Sequence, residues 1–368
     1  MRYPRESRAV FLTAMTAVMV VTGILTAGFL QAQPPRPNEI DLPVTAETRA
    51  EVIKTILAKL NESYVFPEVA KRMETAINKR QEAGEYDKVT SSKEFARVLT
   101  ANLQEISKDK HLRVRYQHEM LQPDSKDGSS SAEIEQMRRF EELGRQSNFG
   151  FEKVDRLEGN IGYIDLRQFF DAALAGEAAA SAMDLLANTD ALIVDLRQNG
   201  GGDPAMVCLL CSYLFPGGDV HLNDLYFRPD NSTRQFWTLP YVPGKRYINK
   251  DVYVLTSGHT FSGAEEFTYN LKNLKRAMIV GETTGGGANP GGPVRAGDHF
   301  TVFVPVGRAI NPITKTNWEG TGVEPDVHVA QEQALKTAQL MALKKLRDQA
   351  KDPERKQDLS EVIGRLDK

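Results

Sequence analysis

The chain has 368 residues, with 46 Lys and Arg against 49 Asp and Glu, and a net charge of −3. That balance lacks the basic excess of a nucleic-acid footprint, so no nucleic-acid partner is expected. A hydrophobic content of 41% suits ordinary globular protein, and the length fits two domains or one large domain with a helical appendage.

Arg2, Arg5 and Arg8 precede an uncharged, apolar stretch from Ala9 to Leu30, followed by Gln31-Ala32-Gln33. A positive head and an apolar run resemble a secretory signal. The run is also long enough to span a bilayer if it is not cleaved. Residues 1–32 are therefore expected to be a signal peptide or membrane anchor. The protein is then exported, periplasmic or secreted, with a tether to the inner membrane through residues 9–30 if cleavage fails. Pro34, Pro35, Pro37 and Pro43 mark residues 33–44 as a linker.

Residues 45–147 read as a helical domain. Val52, Ile53, Ile56, Leu57 and Leu60 recur at helical spacing. A second helix starts at Ser91, where Ser91 and Glu94 have capping-box spacing, and runs through Phe95, Val98, Leu99, Leu103 and Ile106. Pro123 to Ser131 reads as a loop, with a charged helix after it to about Leu143.

From residue 148 to 335 short apolar runs alternate with helical segments. Ile161–Leu166, Ala191–Leu196, Val252–Leu255 and Ala277–Val280 read as strands. Helices are expected at about 171–187, from Pro204 and from near Ser262. Such units imply a largely parallel, buried sheet, with functional groups gathered where loops leave the carboxyl ends of strands. The triplets Gly200-Gly201-Gly202 and Gly285-Gly286-Gly287, and Ser262, fall at such ends. Residues 336–368 read as a C-terminal helical tail. The two cysteines, Cys208 and Cys211, lie among Met206, Val207, Leu209 and Leu210 and read as packed thiols rather than half a zinc site.

Ser262 stands at a strand-to-helix turn and is followed by Gly263-Ala264-Glu265. Taken locally it reads equally as an exposed nucleophile beside free helix-start N–H groups or as an ordinary N-cap. Neither glycine triplet is followed by Lys-Ser or Lys-Thr, so no phosphate-binding P-loop is present. No convincing metal-ligand spacing or cofactor motif occurs, and no metal or cofactor is expected.

The wider order of motifs separates the two readings. Asp195-Leu196-Arg197-Gln198-Asn199-Gly200-Gly201-Gly202, the Ser262 segment, Gly281-Glu282-Thr283-Thr284-Gly285 and Gly320-Thr321-Gly322-Val323-Glu324-Pro325-Asp326 follow one another. Together they resemble the tail-specific, or C-terminal-processing, serine peptidases, in the branch related to interphotoreceptor retinoid-binding protein and tricorn protease. The resemblance spans roughly residues 45–330. It implies a crotonase/ClpP-like α/β core with a mostly parallel sheet and a helical N-terminal domain. Too few residues separate the helical region from the first core strand for the PDZ domain that many tail-specific members carry.

The resemblance also implies roles. Ser262 would be the nucleophile, with the backbone N–H groups of Gly263 and Gly201 as oxyanion donors. Many tail-specific peptidases place a lysine base 25 positions after the serine, but that position here is Gly287. The base would instead be His111, in the segment Asp109-Lys110-His111-Leu112-Arg113, with Glu319 as its orienting acid. His259 competes for that role but stands only three residues before Ser262, and His299 begins an alternating strand and reads as structural. The related site has a serine just before its histidine, whereas Lys110 stands there in this chain, leaving Glu319 free to pair with Lys110 instead. The implied activity is hydrolysis of peptide or protein substrates through an acyl-enzyme. A carrier of apolar ligands and a small-molecule esterase are the alternatives on the same fold.

Overall fold

The structure, a computed structural model, describes residues 40–121 and 131–368. The expected signal segment, most of the linker and the 123–131 loop lie outside the described residues, save for Ser131. Among the described residues no helix is long and apolar enough to cross a membrane.

The N-terminal region packs three helices, α1 (Ala46–Ser63), α2 (Pro67–Glu82) and α3 (Ser92–Ser107). Helix α3 is capped by Ser91, whose Oγ accepts the Glu94 N–H at 2.9 Å. The return half of the expected capping box is not made, because the Glu94 carboxylate holds Arg97. At its end Lys108 takes a left-handed conformation (φ 58°) and turns the chain into strand β1 (Arg113–Tyr116). Residues 40–44, read with the linker, run along this region: the Leu42 N–H donates to Tyr116 Oη and the Val44 N–H to the Thr90 carbonyl. Helix α4 (Ser131–Gln146) follows.

The central sheet has six strands. Strands β2 (Phe151–Leu157), β3 (Ile161–Leu166) and β4 (Ala191–Asp195) are followed by β5 (His221–Phe227) and β6 (Ser232–Trp237), which lie elsewhere. Next come β7 (Asp251–Thr256), β8 (Met278–Gly281), β9 (Gly291–Arg295), β10 (Phe300–Pro305), β11 (Gly307–Ile310) and β12 (Val327–His328). The sheet order is β12-β8-β7-β4-β3-β2, parallel throughout except for the β2–β3 pair. Parallel strands covered on both faces need apolar side chains on both, and every residue of β4 is buried. Two smaller antiparallel sheets, β1-β10-β9 and β11-β5-β6, complete the body.

Helices α5 (Ala172–Leu185), α6 (Pro204–Tyr213) and α7 (Gly263–Asn273) build the core on one face of the main sheet. Helices α8 (Gln331–Gln349) and α9 (Pro353–Leu366) supply Ala334, Ala338, Leu343, Leu359 and Ile363 to the core on the other face. The C-terminal segment is thus part of the packed body. Cys208 and Cys211 are buried, unbridged thiols on α6, as expected.

Two features bring the functional elements together. Strand β1 pairs with β10 in register Val114↔Val302, which fastens the N-terminal region to the core just after His111. The loops leaving β4, β7 and β8 are also sewn to one another. The Phe261 N–H donates to the Asn199 carbonyl (3.0 Å), Ser257 Oγ to the Arg197 carbonyl (2.6 Å), and the Gly285 N–H to the Thr260 carbonyl (2.9 Å). The crevice at these strand ends is the expected functional position in a parallel sheet.

Helix α7 carries a titratable probe of this packing. Burial pushes the Glu266 carboxyl up to about 8, against the opposing pull of Asn223, from an ordinary 4.5. Because the folded-state value is raised, its contribution to stability is complete below about pH 4.5 and is lost as pH rises through about 8. Comparing denaturant unfolding of the native chain with Glu266→Gln should show the native chain losing up to about 5 kcal/mol relative to the variant across that window. A difference that stays constant with pH would contradict the burial described here.

Candidate active site

Ser262 immediately precedes α7 at φ 54°, ψ −120°. An ordinary N-cap residue has extended backbone; Ser262 shares a capping box with Glu265 but holds a strained, non-glycine conformation that a simple cap does not need. Gly263, the first helical residue, keeps its N–H outside the helical ladder beside the positive helix end.

The Gly200–Gly202 turn lies against this corner. Gly201 has φ 105°, and a β-carbon there would stand 2.8 Å from the Gly263 nitrogen and 2.8 Å from Ser262 Cβ. Only glycine allows both the conformation and the approach. One expectation needs correction. The Gly201 N–H donates to Asn199 Oδ1 at 2.8 Å, so it is not a free oxyanion donor in this conformation. Asn199, fully buried, also donates Nδ2 to the Leu166 carbonyl at 2.8 Å and so fixes the turn to strand β3.

Glu265, at the third position of α7, organises the other side. Its carboxylate accepts the Ser262 N–H (2.9 Å), the Gly287 N–H (2.8 Å), the Gly286 N–H (2.6 Å) and the Thr284 hydroxyl (2.5 Å). Burial raises its pKa to about 7, with the four donors opposing the rise. This one side chain locks the Ser262 backbone to the loop after β8.

That loop carries the histidine's environment. His111 is 1% exposed, and its ring lies 4.6 Å from the Phe261 ring and stacks on Phe303 at 5.7 Å. A β-carbon on Gly287 would stand 2.6 Å from His111 Cε1 and 2.3 Å from Phe261 Cζ. Any side chain at position 287 would therefore collide with both rings as they stand. Neither ring nitrogen of His111 has a hydrogen-bond partner, so no bond joins it to Ser262. Burial, followed by the charge of Arg113, pulls its pKa down to about 3, so the ring is a neutral imidazole.

Glu319 reaches the same place. The ligand-capable atoms of Asp109, His111 and Glu319 all lie within 4.8 Å of one another. Glu319 Oε2 accepts the Ala288 N–H at 2.6 Å, while Oε1 is buried without a partner. Burial, then the neighbouring Asp109, pushes its carboxyl up to about 8. Lys110 does not pair with Glu319; its Nζ donates to the Gly285 carbonyl at 2.5 Å.

Asp109 is the acid that the sequence reasoning passed over. Its Oδ1 accepts the His111 N–H at 2.9 Å and lies 4.0 Å from His111 Nδ1. Its Oδ2 accepts from Tyr64 Oη (3.2 Å) and Asn289 Nδ2 (2.9 Å), groups 45 and 180 residues away in the chain. Burial raises its pKa. Glu265 did leave a sequence signal, the Ser-x-x-Glu spacing of a capping box, whereas Asp109 gains its partners only in the fold. His259 is exposed at the tip of its loop, and His299 joins the Gln117 carbonyl at 3.2 Å, in keeping with a structural role.

Comparisons with known proteins agree with this architecture. Residues 160–329 match peptidase family S41, and residues 42–152 match the N-terminal domain of Peptidase_S41 in eukaryotic IRBP. Among solved structures, a candidate peptidase from Parabacteroides merdae is 18% identical, with a TM-score of 0.52 over 77% of this chain and 90% of its own. A lipoprotein from Streptococcus agalactiae is 16% identical, with a TM-score of 0.51 over 83% of this chain and 98% of its own. The tricorn protease is 16% identical with a TM-score of 0.50, and 87% of this chain covers 37% of it. At such identities the structures speak for the fold, which is the expected α/β core with a helical N-terminal region. The two sequence matches take in most of the chain, from the helical region to the last core strand: it belongs to peptidase family S41.

Proposed function

We propose that the chain is an exported serine endopeptidase that cleaves peptide or protein substrates through an acyl-enzyme on Ser262. The observation that carries this reading is the backbone of Ser262, strained at a helix start beside the free Gly263 N–H and fixed by Glu265. Helix-start amides and the helix dipole favour the oxyanion that forms when a serine attacks a carbonyl. The Gly201 amide joins this pocket if it leaves Asn199 Oδ1. Export rests on the apolar N-terminal run.

His111 is the proposed base, with Asp109 and Glu319 to hold its tautomer and balance the imidazolium. Burial suppresses its basicity, and its ring is covered by Phe261. Proton transfer therefore requires Phe261 to shift when substrate enters, opening a path between the imidazole and the Ser262 hydroxyl. This covered histidine is also the observation that favours the second reading, a non-catalytic carrier of apolar ligands.

Fluorophosphonate labelling with casein hydrolysis separates the two readings. The native chain should label and cleave, Ser262→Ala should do neither, and His111→Ala should label roughly 100-fold or more slowly, as expected for loss of a general base. A native chain that neither labels nor cleaves would favour the carrier. Labelling that persists in Ser262→Ala would overturn the nucleophile.

Gly287 offers a separate check on the base. Gly287→Lys should not create a working serine–lysine pair, because the added side chain collides with Phe261 and His111. Activity should fall at least 10-fold in both Gly287→Ala and Gly287→Lys. Native-level activity in Gly287→Lys that survives a further His111→Ala change would contradict the assignment.

A further inference from the structure

We propose that Asp109, His111 and Glu319 form a three-ligand site for a divalent transition metal of the zinc type, whose binding silences the peptidase by occupying the lone pair of His111. The silencing part rests on His111 being the base; the metal site itself does not.

The geometry is that of a built site. The ligand atoms of the three residues lie within 4.8 Å of one another. Ligands about 2.0–2.2 Å from a tetrahedral zinc stand about 3.5 Å apart, so each must draw inward by less than about 1 Å. His111 is 1% exposed with both ring nitrogens unpartnered, and Glu319 Oε1 is buried and unpartnered. Buried polar atoms are nearly always paired, yet here the two His111 ring nitrogens and Glu319 Oε1 lie close together without hydrogen-bond partners. The adjacent cations turn elsewhere: Lys110 Nζ goes to the Gly285 carbonyl and Arg113 Nε to the Lys110 carbonyl.

Outer contacts orient two of the ligands. Tyr64 Oη and Asn289 Nδ2 hold Asp109 Oδ2, and the His111 N–H holds Oδ1. The Ala288 N–H holds Glu319 Oε2 and leaves Oε1 free for the ion. One imidazole and two carboxylates suit zinc, or manganese and iron(II), better than a soft metal. Three protein ligands leave an open position for water. A metal-bound imidazole cannot accept the serine proton, so occupancy and peptidase activity exclude each other.

The test uses the full chain, stripped with a chelator and then titrated with ZnCl₂, and in parallel with CoCl₂ for its visible spectrum. One equivalent should bind, measured by elemental analysis and the cobalt bands, with affinity falling at least 10-fold in Glu319→Gln and Asp109→Asn. His259→Asn, at an exposed histidine, should bind normally. Both carboxyl variants are isosteric, and circular dichroism confirms that they fold. Zinc should slow fluorophosphonate labelling of the native chain at least 10-fold, and EDTA should restore it. Absence of a stoichiometric metal, or binding unchanged in both carboxyl variants, overturns the site. Metal binding that leaves labelling untouched overturns the silencing role. A metal-free chain that does not label at all tells instead against Ser262 as nucleophile.

Discussion

The arrangement depends on one buried carboxylate. Glu265 receives hydrogen bonds from the Ser262 backbone on one side and from Thr284, Gly286 and Gly287 on the other. Burying an acid is costly unless donors surround it, and this one has four. Through it the start of α7 and the loop after β8 become a single unit, and Gly287 of that loop is what His111 packs against. This clamp adds to the backbone bonds, such as the Gly285 N–H to the Thr260 carbonyl, that join the serine corner to the loop after β8. Its position one turn into the helix lets a local capping motif do long-range work.

A second constraint comes from the pairing of β1 with β10. His111 belongs to the N-terminal region, Ser262 to the core, and the β1–β10 ladder brings the first to the second. The N-terminal region is therefore part of the site rather than an appendage to it, since Tyr64 and Asp109 also come from it. Phe261 links the two halves again, joined covalently to Ser262 and with its ring tilted against His111 at 4.6 Å. The same aromatic contact that positions the histidine also helps to cover it.

Much of the core was readable in the sequence because parallel strands covered on both faces appear as unbroken apolar runs, as in Ala191–Asp195 and Ile161–Leu166. Strands β5 and β6 were not read. They are outlying antiparallel strands with polar residues such as Asn223, Asp224 and Arg234 among their apolar ones, and their stability comes from pairing with each other. At the site, Ser262 and Gly263 were expected from ordered motifs and His111 and Glu319 from family resemblance, and the fold places the last two within 4.8 Å of each other. The Gly201 donor was expected from the same resemblance, but the Asn199 side chain, invisible as a hydrogen-bond partner in one dimension, holds its N–H. Asp109 and Asn289 acquire their roles from a contact spanning 180 residues, which no local spacing reveals.

The central claim is an acyl-enzyme on Ser262. It is tested most directly by intact-protein mass spectrometry of the metal-free chain, quenched during turnover of an activated peptide ester. The account predicts one acyl group per chain, lying on the peptide that contains Ser262 and lost as hydrolysis proceeds. Turnover with no covalent adduct, or with the acyl group on another residue such as Ser257, would contradict it.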